Sequence, residues 1–212
     1  MAEVKTFGVM LFEGFEVLDV FGPIEAFGIL GYEGNWRIVT VAERAGAITS
    51  AQGPKVIADY GFSESGFGDC PPIDVLMVPG GIGTRREITN HAALEWLIAH
   101  AQKAEIVASV CTGSAILAQA GLLDGRRATS NKLSFKWVAE RGPKVDWVHE
   151  ARWVVDGKFW TSSGVSAGID MALALIAHLT DQRTAENIAA RMEYEWHRDS
   201  TRDPDGSIHK LK

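Results

Sequence analysis

The sequence is poor in cysteine and in positive charge, and each shortage argues against a class of protein. Its 212 residues include only two cysteines, Cys70 and Cys111. Two cysteines cannot form a disulfide framework, and no cluster of Cys and His has the spacing of a zinc site. Lys and Arg number 21 against 27 Asp and Glu, so the formal net charge is −6. This acidic balance argues against non-specific nucleic-acid binding, because such binding depends on cations that neutralise phosphates.

Long apolar runs and targeting segments are also missing. No run approaches the roughly 20 apolar residues of a membrane-spanning helix. The N-terminus, MAEVK, has no basic region followed by an apolar one, as a signal peptide would. We therefore expect a cytoplasmic protein that binds neither membranes nor nucleic acid, and for which no metal or cofactor is expected.

The apolar residues that are present predict alternating strands and helices. Near-continuous apolar runs are typical of strands buried on both faces, and apolar residues at helical spacing lie between them. The alternation indicates an α/β sandwich of three layers with a mostly parallel central sheet. We expect one domain over residues 1–199 and a polar C-terminal tail over residues 200–212. Strands are predicted at 6–12, 36–42, 73–78 and 105–110, short hairpin pieces at 48–50 and 55–57, and a hairpin at 152–161 that turns at Asp156-Gly157. Helices are predicted at 19–30, 90–103, 131–141, 166–179 and 182–192, and a loop at 61–72.

Cys111 is the candidate nucleophile. It lies where an apolar strand turns sharply into a helix of small residues, which is the arrangement of a nucleophile elbow. We expect a strained backbone at Cys111, and a thiol pKa lowered by the start of the helix and by partial hydration. An inert buried cysteine is the alternative. Cys70 has no strand before it and no helix after it, so it is not expected to be functional.

Two neighbouring loops supply candidate partners for Cys111. In an open parallel sheet, ligands bind at the carboxyl ends of the strands. The amides of Gly81 and Ile82, in the glycine-rich turn after one strand, could bind a developing negative charge, or the turn could be purely structural. Asp19 could shuttle protons from an apolar crevice or merely cap its helix, and Glu25 competes for the acidic role. No histidine can be placed beside Cys111 from the sequence.

Five segments together resemble the ThiJ/PfpI superfamily, which includes the parkinsonism-associated deglycase. They are LDVFGPIEAF from residue 18, VPGG from 78, SVCTGS from 109, AGLLDGRRAT from 120 and SGVSAGID from 163. The resemblance implies a flavodoxin-like fold, similar to class I glutamine amidotransferases, with an elbow cysteine and usually a homodimer. The first helix and the Cys-Thr-Gly segment are most similar to isonitrile hydratases and to the amidase-like domain of AraC-type regulators.

The resemblance also implies roles for particular residues. Cys111 corresponds to the hydratase nucleophile, Asp19 to its acid and Thr112 to the threonine that follows the nucleophile. Gly81 and Ile82 correspond to the backbone amides that bind substrate. The sequence departs from many relatives at Asn131, where the protease-like and chaperone-like branches carry a histidine that partners the cysteine. That departure weakens those two interpretations but not the hydratase.

The sequence therefore predicts an isonitrile hydratase acting on a small molecule, with a cysteine nucleophile and an N-substituted formamide as product. Two alternatives remain open. One is a glyoxalase-like hydratase that acts on methylglyoxal, and the other is a non-enzymatic redox or stress protein whose accessible thiolate reacts with peroxide. The AraC-type regulators carry a C-terminal helix-turn-helix domain, which we do not expect here because the sequence stops soon after the last predicted helix.

Overall fold

The structure is a computed structural model that describes residues 4–62 and 70–204. The strands are β1 (Lys5–Met10), β2 (Trp36–Ala42), β3 (Gly46–Thr49), β4 (Lys55–Ala58), β5 (Tyr60–Gly61), β6 (Val75–Val78), β7 (Ile106–Ser109), β8 (Arg127–Ala128), β9 (Asp146–Trp147), β10 (Trp153–Asp156) and β11 (Phe159–Ser162). The helices are α1 (Val17–Glu33), α2 (Thr84–Glu87), α3 (His91–Lys103), α4 (Gly113–Gln119), α5 (Phe135–Ala139), α6 (Ala167–Leu179) and α7 (Gln182–Arg191).

A seven-stranded sheet forms the central layer, in the order β10-β11-β7-β6-β1-β2-β5. Every pairing in it is parallel except that of β10 with β11 at one edge. β6 and β7 are buried along their whole length, as their apolar runs predict. Helices α1, α6 and α7 pack together in one outer layer, and α3 and α4 pack in the other. The predicted three-layer α/β sandwich is confirmed.

Both predicted hairpins form. β10 and β11 pair antiparallel around Asp156-Gly157, where Gly157 has the positive φ of 58° that this turn requires. β3 and β4 pair antiparallel in a separate two-stranded sheet. The predicted loop at 61–72 lies mostly outside the described residues, and its first residue, Gly61, ends the short edge strand β5.

Two predicted helices have wrong boundaries. α1 starts before Asp19 and continues past Gly31 to Glu33, so a glycine at that point does not end it. The helix predicted to start at Asn131 starts only at Phe135. The Asn131 side-chain oxygen accepts a hydrogen bond from the Ser134 N–H at 3.0 Å. Such a turn competes with helix formation, because it provides the backbone donor with a local partner.

The segment predicted to be a polar tail begins as part of the domain. The Ser200 carbonyl accepts a hydrogen bond from the Arg152 N–H at 2.8 Å, and the Asp203 N–H donates to the Glu150 carbonyl at 2.8 Å. Asp203 is buried. Residues 200–204 therefore pack against the domain, while 205–212 lie outside the described residues.

Candidate active site

The site lies where the order of strands reverses. β1 has β2 on one side and β6 on the other, so successive crossovers run in opposite directions from it. A crevice is expected outside the carboxyl ends of the strands at such a point. The segments after β1, β6 and β7 meet there, and they carry Asp19, Gly80 and Cys111.

Cys111 has a strained backbone, as predicted. Its φ is 57°, a left-handed conformation that few residues other than glycine adopt. Both of its backbone polar groups are held: its N–H donates to the Ser163 carbonyl at 3.1 Å, and its carbonyl accepts from the Ser130 hydroxyl at 2.9 Å. Such a conformation costs about 1–3 kcal/mol and persists only where neighbouring groups enforce it. These hydrogen bonds fix the direction in which the thiol points.

Asp19 lies in the first turn of α1 and contacts Cys111. Its Oδ2 accepts a hydrogen bond from the Gly80 N–H at 2.8 Å, and its carboxyl is hydrogen-bonded to the Cys111 thiol. Its Oδ1 has no hydrogen-bond partner among the described residues, although it is fully buried. Asp19 therefore does not cap α1, which begins after Glu16. Glu25, the other candidate acid, is exposed on the same helix and does not compete for this position.

Burial determines the protonation of the pair. It raises the pKa of Asp19 from 3.8 to about 7, a change that the Gly80 N–H opposes and the nearby Glu16 carboxylate supports. Burial, with the Asp19 carboxylate, also raises the pKa of the Cys111 thiol. The backbone N–H groups of Thr112 and Val165 oppose this second change by hydrogen bonding to the sulfur.

The predicted low-pKa, hydrated thiol is therefore wrong. Cys111 is only 6% exposed, and the cost of placing a charge there exceeds the effect of the two N–H donors. The resting pair is a neutral thiol beside a carboxyl group that is half ionised near neutral pH.

Gly80 allows the three segments to approach one another. A Cβ atom at this position would lie 2.6 Å from the Thr112 nitrogen, 2.8 Å from Asp19 Oδ2 and 2.8 Å from Cys111 Cβ. These separations are shorter than real Cβ contacts, so a larger residue would force the groups apart. The absence of a side chain allows the Gly80 N–H to reach the Asp19 carboxylate.

Thr112 and Gly81 contact each other directly. The Thr112 hydroxyl accepts a hydrogen bond from the Gly81 N–H at 3.1 Å and lies 3.2 Å from the Thr84 hydroxyl. The Gly81 N–H therefore donates to a side chain of the protein, whereas from the sequence we expected it to face the substrate. Ile82, the next residue, is exposed. Thr112 stabilises the turn after β6, and direct contact of Thr112 or Ile82 with substrate stays a prediction.

Two further residues lie at the site: Val165, which the sequence did not identify, and Asn131, which the sequence singled out only as a departure from many relatives. Val165 has a φ of 45°, a rare conformation for a β-branched residue, and directs its N–H at the Cys111 sulfur. Asn131 packs its side-chain nitrogen against Gly164, the residue before Val165. Position 131 therefore lies beside the site. The short motif SGVS was the only signal that could have indicated Val165.

The described part of the chain also bears on metal binding, on membrane-spanning helices and on the second cysteine, Cys70. Within 4–62 and 70–204, no group of three or more His, Cys, Asp or Glu side chains is arranged to hold a metal ion. Among these same residues, no helix is long and apolar enough to span a membrane. Cys70 is half-buried, and burial raises its pKa to about 11.

Comparison with known proteins finds relatives along most of the chain. The sequence is 33% identical over 189 residues to isonitrile hydratase of Pseudomonas putida, which covers 88% of this chain and 77% of the relative. It is 31% identical over 175 residues to the helix-turn-helix transcriptional regulator CdhR of Pseudomonas aeruginosa, covering 78% of this chain but only 52% of the regulator. The crystal structure of a ThiJ/PfpI family protein from Pseudomonas syringae superposes with a TM-score of 0.81 at 33% identity, over 93% of this chain and 77% of that one.

The relatives found by sequence differ in function. The P. putida relative is an enzyme, and the P. aeruginosa relative is a transcription regulator. The described architecture is the flavodoxin-like one that the resemblance implied. The sequence profile of the DJ-1/PfpI family matches residues 5–178. The chain therefore belongs to the DJ-1/PfpI family.

Proposed function

We propose that this protein is an isonitrile hydratase, which adds water to an isonitrile and releases an N-substituted formamide. One observation carries the proposal: Cys111 is hydrogen-bonded to a buried carboxyl group, that of Asp19, whose pKa is about 7. An acid–base catalyst is most effective when its pKa lies near the working pH. The pair thus combines a nucleophile with a group that can both accept and donate a proton at neutral pH. The identity to the P. putida hydratase supports the choice of substrate.

The first step forms a covalent thioimidate. The Asp19 carboxylate accepts the thiol proton, and the sulfur attacks the terminal carbon of the isonitrile. Asp19 then donates the proton to that carbon, so that R–N≡C and the thiol become R–N=CH–S–Cys111. The N–H groups of Thr112 and Val165 stabilise the thiolate while it carries charge. Proton transfer within the pair needs no stable thiolate, so a thiol of raised pKa can take part.

The second step hydrolyses the thioimidate. Asp19, again a carboxylate, removes a proton from a water molecule whose oxygen attacks the thioimidate carbon, and the proton goes to nitrogen. The C–S bond of the resulting intermediate breaks, its electrons stay on sulfur, and the hydroxyl proton returns to the Asp19–Cys111 pair. The product is R–NH–CHO, and the thiol is restored.

The geometry does not favour the redox alternative. A peroxide sensor requires an accessible thiol of low pKa, whereas Cys111 is buried and its thiol pKa is raised. A glyoxalase-like reaction on methylglyoxal would use the same pair, so the product distinguishes it from the proposed reaction. Lactate indicates methylglyoxal hydration, and a formamide indicates isonitrile hydration.

The deciding experiment is an ultraviolet assay of formamide production from an aromatic isonitrile. We expect turnover by the wild type, none by Cys111→Ala, and a rate about 10²–10⁴-fold lower for Asp19→Asn, since proton transfer by a positioned group contributes that much. Cys70→Ala is the matched control and keeps the wild-type rate.

Because the Asp19 carboxylate must accept a proton first, kcat/KM should rise with pH and reach half its maximum near pH 7. Full activity of Cys111→Ala would refute covalent catalysis. The homodimeric state and the cytoplasmic location stay predictions.

A further inference from the structure

A cluster of buried charged side chains lies beneath the Cys111 turn. It consists of Lys132, Arg152, Asp170 and Asp203, which we call the charge cluster. Arg152 Nε donates to Asp170 Oδ2 at 2.7 Å, and Arg152 Nη1 donates to Asp203 Oδ1 at 3.1 Å. Lys132 Nζ lies 3.8 Å from Asp203 Oδ2. Two cations thus face two acidic groups away from water.

Asp203 is the member that comes from the C-terminal segment. The proposed reaction does not use it, yet 98% of its side chain is buried. Removing one partner of a buried ion pair costs about 3–5 kcal/mol, because the other charge is left without compensation. The C-terminal segment is therefore held firmly at this residue.

The charge cluster reaches the N–H of Cys111 through Ser163. The Ser163 hydroxyl donates a hydrogen bond to Asp203 Oδ2, and the Ser163 carbonyl accepts the Cys111 N–H at 3.1 Å. Ser163 is followed by Gly164 and Val165, and the Val165 N–H donates to the Cys111 sulfur. Asp203 thus fixes the start of the segment that supplies one of the two donors to sulfur.

The charge cluster reaches the carbonyl of Cys111 through Ser130. Lys132 Nζ donates to the Ser130 carbonyl at 3.3 Å and to the Thr129 hydroxyl at 2.9 Å. The Ser130 hydroxyl in turn donates to the Cys111 carbonyl at 2.9 Å. One chain of hydrogen bonds therefore runs from the charge cluster to the N–H of Cys111, and a second runs from the cluster to the carbonyl of Cys111.

We propose that Asp203 is a positioning residue for the nucleophile: through Ser163 on one side and Lys132 on the other, it holds Cys111 in its left-handed conformation and keeps the Val165 N–H on the sulfur. The proposal goes beyond the proposed function and rests only on Cys111 being the reactive thiol. Asp203 would then affect catalysis, although from the sequence we expected it to lie in a polar tail.

The test measures alkylation of the two cysteines in the full-length protein by a large excess of iodoacetamide over hours, using mass spectrometry, because the buried and neutral Cys111 thiol reacts slowly. In Asp203→Asn we expect Cys111 to react about tenfold more slowly at pH 7.5 than in the wild type, because loss of a hydrogen bond to a charged sulfur amounts to roughly that factor. Cys70 serves as the internal reference and should react at an unchanged rate.

With an isonitrile substrate, kcat should fall about tenfold while KM stays within about twofold, since Asp203 does not contact the substrate. Asp199→Asn, an exposed carboxylate in the same segment, is the matched control.

A second variant covers the case in which Asp203→Asn does not fold. Ser163→Ala keeps all four charges of the cluster and removes only the hydroxyl that links Ser163 to Asp203. It should slow alkylation of Cys111 in the same direction. An unchanged rate at Cys111 in the folded variant, or an equal change at both cysteines, would overturn the proposal. Because alkylation needs no isonitrile, the outcome is independent of whether the proposed substrate is correct.

Discussion

Replacing Asp19 with asparagine should make the protein more stable at neutral pH while it impairs catalysis. The pKa of Asp19 is raised from 3.8 to about 7 by burial, so between these values the folded state binds a proton that the unfolded state has released. Stability must therefore fall as pH rises from about 4 to about 7. One pKa unit corresponds to about 1.36 kcal/mol, so the whole change amounts to about 4 kcal/mol.

Asparagine has nearly the same shape but does not ionise. Near pH 4 the wild-type side chain is already neutral, and the two proteins should then differ little in stability. By pH 7.5 the wild type carries the full cost of a buried charge, and the variant should be more stable by about 4 kcal/mol. This is a large share of the roughly 5–15 kcal/mol that stabilises a typical domain. For a chain of this size it corresponds to a melting temperature about 8–16 °C higher.

Urea denaturation at half-unit intervals from pH 4 to pH 8 would measure this difference. Asp146→Asn is the matched control, since the Asp146 side chain is 74% exposed and its replacement should change stability by less than about 0.5 kcal/mol. If the difference between Asp19→Asn and the wild type stayed constant over this range, then Asp19 would not ionise in the folded protein as we describe. The acid–base role would then lose its physical basis.

Two other substitutions test the surroundings of the pair. Glu16→Gln removes a carboxylate that raises the pKa of Asp19, so the midpoint of the pH profile of kcat/KM should move to lower pH; an unmoved midpoint would contradict this electrostatic effect. Gly80→Ala would place a Cβ 2.6 Å from the Thr112 nitrogen, so we expect a loss of about 1–3 kcal/mol of stability and a collapse of activity, both measurable by thermal melting and the formamide assay. Gly28→Ala on α1 is the control for this substitution, because the nearest atom to a Cβ at Gly28 lies at an ordinary contact distance of 3.8 Å. An alanine there should stabilise the helix. Equal effects of the two substitutions would show that crowding at Gly80 is not the cause.

Much of the fold could be predicted from local pattern. β6 and β7 are apolar runs that need burial on both faces, and the Asp156-Gly157 turn requires a positive φ that glycine adopts freely. The contact of Asp19 with Cys111 was also predictable, because the carboxyl ends of parallel strands meet at one edge of the sheet. The start of α5 was not, since it depends on whether the Asn131 side chain takes a local backbone donor before the helix can.

The protonation of the site could not be predicted in the same way. The sequence places Cys111 before a helix of small residues, which suggests a lowered pKa. Only the packed structure shows that desolvation is the larger effect, because the burial of a group depends on residues from many segments. The role of Asp203 was hidden for the same reason: a carboxylate in a polar stretch looks like part of a solvated tail until its buried partners are known.

The sequence by itself therefore determined the strands of the central sheet other than β5, the two hairpins and the residue that could act as nucleophile, since these depend on hydrophobic period and on local backbone conformation. Only the tertiary structure decided which groups Cys111 faces, whether its proton resides on sulfur, and which distant side chains hold its backbone. Electrostatic energy in a folded protein depends on distance and on exclusion of water, and both are properties of the assembled chain.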